Sequence, residues 1–205
     1  GDLFMSKMSK KKVIGITGSM GSGKSEISRY LRKKYPVLDC DQVNADLLKK
    51  GNLGYQKLND LHIVELDSNG EIIKESLASY MFSNEEHRKQ VEAILHPLIF
   101  DEMHKWIHEQ ESLIVFVEMP ILFEISAQEH FDSIWCVVAD LDVALSRLQT
   151  YRNFTREQAL ARLVSQMNPE EKMAKSDIVL RNNSTVEQLH MQIEDALKEE
   201  KLNGD

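Results

Sequence analysis

Cysteine is scarce in this sequence. The chain of 205 residues contains two cysteines, Cys40 and Cys136, which lie far apart and in apolar surroundings. Neither belongs to a CxxC pair or to a Cys/His spacing that is typical of metal sites. The sequence therefore excludes a disulfide-rich fold, and it favours two buried free thiols in a reducing cytoplasm over a single disulfide.

Long apolar runs and a surplus of basic charge are also missing. No apolar run approaches the roughly 18–20 residues of a membrane span, and the start, GDLFMSKMSKKK, lacks the apolar centre of a signal peptide. We therefore expect a cytoplasmic protein without a membrane partner, with Met5 or Met8 as its natural start. The formal net charge of −8 argues against a nucleic-acid partner. We expect a monomer or a weak homo-oligomer.

Short apolar runs alternate with helical patterns along the chain. Five runs predict strands at residues 13–17, 37–39, 112–118, 134–139 and 177–180. The spacing of apolar residues predicts helices over 24–34, over 155–167 and from residue 184 or 185 onward. Strands that alternate with helices are typical of parallel βα units, so we predict an α/β fold.

One connection is too long for a single crossover. Roughly seventy residues separate the second and third predicted strands, and 46–107 has mainly helical patterns. Asn69-Gly70 predicts a turn, and His96-Pro97 interrupts two helical patterns. Pro97 is expected to begin or kink a helix. We interpret this segment as an inserted cap beside the sheet.

A glycine-rich segment follows the first predicted strand. GSMGSGKS, residues 18–25, matches G-x-x-x-x-G-K-[ST] at every fixed position, with a strand before it and a helix after it. Glycine lets several N–H groups face one anion, and the helix N-terminus adds partial positive charge. Lys24 can contact the β- and γ-phosphates, and the Ser25 hydroxyl suits Mg²⁺. The weaker alternative is a turn that only connects strand and helix. The predicted ATP contacts here are Gly18, Ser19, Met20, Gly21, Ser22, Gly23, Lys24, Ser25 and Glu26.

A triphosphate site does not by itself name the reaction. A switch NTPase, a motor module and a small-molecule kinase can all contain one. Three features favour a kinase: one small domain, a helical insertion where an acceptor could be covered, and a basic, helix-rich segment at 147–162 that could close over the phosphates.

Two acidic residues mark the end of the second predicted strand. Alternation along an extended chain would place Asp39 and Asp41 on the same side, and strand ends border the ligand crevice of an open parallel sheet. One carboxylate can orient or deprotonate an acceptor hydroxyl, while the other holds Mg²⁺ through water. The alternative is that both cap the next helix.

Several further side chains are candidates. His96 is equally consistent with a structural role and with a contact to a phosphate or ribose. Glu118 is a candidate for indirect contact with the metal, and Pro120 is expected to shape a loop. Four arginines could neutralise charge in the transition state, although a solvated helix face is the default for each; they are Arg147, Arg152, Arg156 and Arg162.

Six segments together resemble the dephospho-CoA kinase family. GITGSMGSGKS, VLDCD, AILHPLI, VEMPILFE, TREQALARLVSQM and DIVLRNN occur in the family's order and spacing, and they cover nearly the whole chain from residue 13 to residue 183. Many proteins share the glycine loop, whereas the combination of DCD, HPLI and PILFE is far more specific.

The resemblance implies a P-loop kinase fold, in which a five-stranded parallel sheet is flanked by helices. It implies a nucleotide-binding core at 12–45, 108–146 and 174–205, a helical acceptor-binding insertion at 46–107, and a helical lid at 147–173. It also implies transfer of the ATP γ-phosphate, with Mg²⁺, to the ribose 3′-hydroxyl of dephospho-CoA. The alternatives are a kinase of another nucleoside or nucleotide and a regulatory module that transfers nothing.

The resemblance also implies residue roles. Asp41 matches the proposed base, and Asp39 matches its partner, with a water-mediated contact to Mg²⁺. Arg147 and Arg162 match lid arginines that bind ATP, and Asn182 lies near the adenine. The sequence departs from the family at Tyr151, which replaces a second lid arginine; at Glu26, which replaces a commoner threonine; and at Lys74, where an arginine is common. The candidate acceptor contacts are Asp39, Asp41, Lys74, His96 and Arg152.

Overall fold

The computed structural model describes residues 10–164 and 166–202, and a five-stranded sheet lies at its centre. The strands are β1 (Lys12–Gly18), β2 (Val37–Asp39), β3 (Ile114–Glu118), β4 (Ser133–Val138) and β5 (Ile178–Arg181). Their spatial order is β2-β3-β1-β4-β5. β1 pairs in parallel with both β3 and β4, and β4 pairs in parallel with β5. The predicted α/β fold with a five-stranded parallel sheet is therefore confirmed.

The central strands are apolar because both of their faces are covered. All six residues of β4 are buried, and so are six of the seven residues of β1. Such strands give continuous apolar runs in the sequence, whereas one-sided strands alternate. Phe116 of β3 and Trp135 of β4 meet edge to face in this core, with ring centroids 5.1 Å apart.

Nine helices are assigned within the described residues. In chain order they are α1 (Lys24–Leu31), α2 (Cys40–Leu47), α3 (Leu53–Asp60), α4 (Lys74–Ser83), α5 (Glu85–Glu109), α6 (Leu141–Tyr151), α7 (Arg156–Val164), α8 (Pro169–Ala174) and α9 (Val186–Leu202), together with a short 3₁₀ turn at Gln128–His130. None of these helices has the length and apolar character that crossing a membrane would require.

The chain divides into two compact units. One comprises the chain up to Leu38 and from Gln110 onward, and the other is Asp39–Glu109. In the first unit, α1 and α9 pack on the sheet through Ile27, Leu31 and Ile193. Both cysteines, one in each unit, are buried and are not in a disulfide, as predicted.

The second unit has its own small core. Leu58, Leu77, Val91 and Leu95 bring α3, α4 and α5 together. The predicted turn at Asn69-Gly70 is confirmed, with Gly70 at φ 78°. The acceptor-binding role given to 46–107 stays a prediction.

The prediction that Pro97 begins a new helix is wrong, while the alternative of a kink stays a prediction. Pro97 lies inside α5, which continues from Glu85 to Glu109, so Pro97 does not begin a helix. Proline removes one N–H from the helix, but α5 buries Leu95 and Leu98 beside it, and Val91 and Met103 further along. Packing on both sides of the proline outweighs one missing hydrogen bond.

Candidate nucleotide-binding site

The glycine loop runs from the end of β1 to the start of α1, and its glycines are needed for packing as well as for bending. Gly21 and Gly23 have φ of 79° and 89°, which favours glycine. A Cβ on Gly21 would lie 2.8 Å from the Ala144 carbonyl oxygen, and a Cβ on Gly23 would lie 2.1 Å from Nδ2 of Asn182. The loop therefore lies directly against α6 and against the residue that follows β5.

Lys24 is held across this loop. Its Nζ donates hydrogen bonds to the carbonyl oxygens of Gly18 and Ser19, both at 2.9 Å. Among the residues that the structure describes, only Ser22 Oγ and His190 Nε2 are buried side-chain atoms without a hydrogen-bond partner. A buried hydroxyl normally has a partner, so the unsatisfied oxygen of Ser22 fits a loop that binds a polar ligand. The concave backbone, the ammonium and the helix N-terminus all suit a phosphate group.

Three side chains from distant parts of the chain brace the loop. Arg147 donates from Nη1 to the Gly21 carbonyl at 3.0 Å and from Nη2 to the Asn182 carbonyl at 2.8 Å. Asn182 Nδ2 donates to the Ser22 carbonyl at 3.0 Å, and Oε1 of Gln166 accepts from the Met20 amide at 3.0 Å. Burial lowers the pKa of Arg147, although an arginine remains protonated. The structure thus brings Arg147 and Asn182 to the loop.

A carboxylate lies beside the first turns of α1. Ser28 Oγ donates to Oε2 of Glu118 at 2.9 Å, and Ser28 is fully buried. Ser28 follows Ser25 by three residues, and such residues share a helix face. Glu118 ends β3, the strand next to β1. Its carboxylate and the Ser25 hydroxyl therefore lie on the same side of α1.

Magnesium is compatible with this arrangement. No cluster of three or more His, Cys, Asp or Glu side chains that could hold a metal occurs in the described parts of the chain. Mg²⁺ in phosphate-transferring enzymes takes one or two protein oxygens and fills its shell with phosphate and water. Ser25 and Glu118 provide oxygens of this kind.

The other arginines of the predicted lid lie between the end of α6 and the end of α7. Arg152 is exposed directly after the end of α6, and Arg156 is exposed at the start of α7. The guanidinium carbon of Arg162 lies 5.7 Å from the ring centroid of Phe154. Tyr151 is 81% exposed.

The two predicted catalytic carboxylates belong to the start of α2. Asp39 is the N-cap of this helix, and its Oδ1 accepts from the Asp41 amide at 2.9 Å. The capping alternative is therefore confirmed for Asp39. The expectation from strand alternation is wrong for Asp41, because that residue is helical; its side chain is exposed. Lys74 is exposed at the start of α4, and His96 is half-buried in α5.

Comparison with known proteins identifies the family. The dephospho-CoA kinase family model matches residues 12–188. The chain belongs to the dephospho-CoA kinase family. The dephospho-CoA kinase of Bacillus cereus is 35% identical over 192 residues, which are 91% of this chain and 96% of that protein. The dephospho-CoA kinase of Fusobacterium nucleatum is 31% identical over 89% of this chain and 95% of its own length.

Solved structures agree with this fold. The Thermus thermophilus protein TT1252 superposes with a TM-score of 0.81 at 32% identity, covering 92% of this chain and 97% of its own. A dephospho-CoA kinase from Campylobacter jejuni gives a TM-score of 0.68 at 23% identity, over 95% of this chain and 100% of its own, and supports the fold.

Sequence reasoning missed some residues that contact the glycine loop or lie beside α1. Gln166 lies within TREQALARLVSQM and Ser28 follows the glycine motif, but neither is a fixed position of a motif, and their contacts to Met20 and Glu118 join positions 146 and 90 residues apart. Only the fold brings such positions together.

Proposed function

We propose that this chain phosphorylates the ribose 3′-hydroxyl of dephospho-CoA with ATP, giving coenzyme A and ADP. The observation that carries this proposal is the match to the dephospho-CoA kinase family over residues 12–188. The glycine loop supports it independently, because this loop has a phosphate-binding backbone, a lysine held across it and a buried unsatisfied hydroxyl.

The test is ADP release with different acceptors. Purified protein with ATP and Mg²⁺ is assayed alone and with dephospho-CoA, adenosine, AMP or cytidine. We expect dephospho-CoA to stimulate ADP release and the other acceptors to have little effect. Stimulation by another acceptor instead would favour a different nucleoside or nucleotide kinase. ADP release that no acceptor stimulates would favour a regulatory module.

The residues of the first unit are assigned to ATP. The loop amides from Gly18 to Glu26 bind the phosphates, and Lys24 leaves its two carbonyl acceptors to contact the β- and γ-phosphates. Arg147 holds the loop and adds positive charge near the transferred group. Asn182 lies near the adenine. Arg162 contacts ATP from a lid formed by residues 147–173, and Arg152 takes the place of the arginine lost at Tyr151.

We assign Mg²⁺ to the Ser25 hydroxyl, with Glu118 or Asp39 acting through water. When bound, the ion would neutralise charge on the β- and γ-phosphates. The hydrogen bond from Ser28 supports this role of Glu118, because it holds the Glu118 carboxylate against α1.

The residues of the second unit are assigned to the acceptor. Asp41 orients the ribose hydroxyl and accepts its proton, and Asp39 supports Asp41 by capping the same helix turn. Lys74 and His96 are assigned to polar groups of dephospho-CoA. The side chain of Asp41 is exposed, as a group that meets a substrate requires.

We also propose a cytoplasmic location. The two buried cysteines, which are not in a disulfide, are compatible with a reducing compartment. We expect a protein that acts as a monomer or weak homo-oligomer.

A further inference from the structure

Lys172 is a buried cation with no role in the scheme above. It lies in α8, and its side chain is only 2% exposed. A buried ammonium is strongly unfavourable unless charged or polar partners surround it. Its Nζ lies 3.1 Å from Oε2 of Glu124 and donates to the Pro120 carbonyl oxygen at 3.3 Å. Both partners belong to the loop that follows β3.

The Pro120 carbonyl connects Lys172 to the start of the glycine loop. Thr17 Oγ1 donates to the same oxygen at 2.9 Å, and Thr17 is fully buried next to Gly18. The Met119 amide also donates to the carbonyl of Ile16 at 2.9 Å. The loop after β3 is thus hydrogen-bonded to the last residues of β1, and Lys172 donates a further hydrogen bond to the Pro120 carbonyl of that loop.

Lys172 and Lys24 both influence the buried thiol of Cys136 in β4. Thr17 is paired with Cys136 across β1 and β4. Burial raises the pKa of the Cys136 thiol, while a hydrogen bond with Ser176 and the charges of Lys172 and Lys24 oppose that rise. Lys172 therefore acts electrostatically on a residue that is paired with Thr17, the residue before Gly18.

We propose that Lys172 is a positioning residue for phosphoryl transfer, because its buried ammonium fixes the loop after β3 through Pro120 and Glu124. That loop begins directly after Glu118, whose carboxylate lies against α1, and it touches Thr17, which precedes Gly18. Displacement of this loop would move both the Glu118 carboxylate and the first residue of the phosphate-binding segment. The inference rests on the proposed kinase function.

The first experiment compares Lys172→Met with Lys175→Met. Lys175 follows the same helix and is exposed, so its replacement is a matched control. We expect Lys172→Met to lower kcat by about 10- to 100-fold, since small misplacements in an active site have effects of this size. ATP affinity, measured directly by equilibrium dialysis, should stay within about threefold of wild type. Unchanged kcat in folded Lys172→Met protein would overturn the proposal, even if kcat/KM fell because ATP affinity was lost.

A double variant separates positioning from folding. Lys172→Met combined with Glu124→Leu replaces the buried ion pair by apolar side chains, which often preserves stability. We expect this variant to fold and to keep the low kcat, because the anchor on Pro120 is still missing. Recovery of wild-type kcat would show that Lys172 serves only to neutralise Glu124, and it would overturn the proposal.

Hydrogen exchange gives a readout that does not depend on activity. Amides of residues 119–127 should exchange faster in Lys172→Met than in wild type, and Lys175→Met should leave them unchanged. Equal exchange in both variants would refute the anchoring role. If wild-type protein does not phosphorylate dephospho-CoA, the kinase assignment fails, while this exchange result still decides whether Lys172 fixes the loop.

Discussion

Both the backbone conformation and the close packing at position 23 require glycine. Its φ is 89°, and an added Cβ would lie 2.1 Å from Asn182 Nδ2. Gly51 has nearly the same φ, 88°, with nothing within 4 Å of an added Cβ. Gly51→Ala should therefore lower the free energy of unfolding by about 1 kcal/mol through backbone strain alone. Gly23→Ala should lose about 1–3 kcal/mol more through the clash.

ATP binding distinguishes the two glycine variants further. Gly23→Ala should also lose most ATP affinity, because Asn182 must move away from the Ser22 carbonyl. Chemical denaturation and equilibrium dialysis measure the two effects. Equal losses of stability in Gly23→Ala and Gly51→Ala would show that the Asn182 side chain moves aside at little cost, which would contradict the predicted clash.

Asp41 is the residue on which the proposed chemistry depends. Asp41→Asn keeps the size of the side chain and leaves the backbone amide that Asp39 caps. It should retain ATP binding and lose about 100-fold or more in kcat, the size expected for a general base. Steady-state ADP release at saturating ATP measures this loss. Asp60→Asn, an exposed change in the same unit, is the control and should keep wild-type turnover. Turnover by Asp41→Asn equal to that of the control would remove Asp41 from the mechanism.

The last helix is fastened to the sheet by one buried carboxylate. Glu200 of α9 is 3% exposed, pairs with Lys12 of β1 at 2.8 Å, and accepts hydrogen bonds from Ser133 and Trp135 of β4. Burial alone would raise the pKa of Glu200, but the hydrogen bonds from these three residues outweigh it and lower the pKa. The ionised carboxylate therefore stabilises the packing of α9.

A pH-dependent loss of stability follows from this lowered pKa. The contribution of Glu200 is fully present above the unfolded-state pKa, near 4.5, and is lost as the pH falls through the lower folded-state value. At pH 7, Glu200→Gln should reduce the free energy of unfolding by about 2 kcal/mol. The difference from wild type should shrink below pH 4.5. Urea unfolding across pH measures it, with exposed Glu199→Gln as control. A difference that is independent of pH would contradict an ionised Glu200.

The strands were predictable from the sequence, and several helix boundaries were not. Buried parallel strands produce local apolar runs, so the five strands were predicted within two residues of their observed ends. The end of α1 at Leu31 and the continuity of α5 through Pro97 depend on tertiary packing, which a local pattern does not contain. Asp41 shows the same limit, because two carboxylates in D-x-D suit a strand end and a helix cap equally well. The glycine loop was predictable because its function fixes its spacing.

Proposed nucleotide and acceptor contacts are divided between the two compact units. The nucleotide contacts, from Gly18 to Glu26 with Arg147, Arg162 and Asn182, all belong to the unit that comprises the chain up to Leu38 and from Gln110 onward. Four of the five acceptor contacts belong to Asp39–Glu109 instead, and these are Asp39, Asp41, Lys74 and His96.

Each ligand should therefore protect a different part of the chain from hydrogen exchange. A ligand at 100 times its Kd stabilises the state that binds it by about 2.7 kcal/mol, which is enough to slow local opening about 100-fold. ATP with Mg²⁺ should slow exchange around the glycine loop and β5, and dephospho-CoA alone should slow exchange at the start of α2 and in α4 and α5. Lys24→Ala should lose the first pattern and keep the second. If dephospho-CoA protected only the glycine loop, the acceptor role of residues 46–107 would be wrong. A bound ligand slows hydrogen exchange in the segments that it contacts and stabilises.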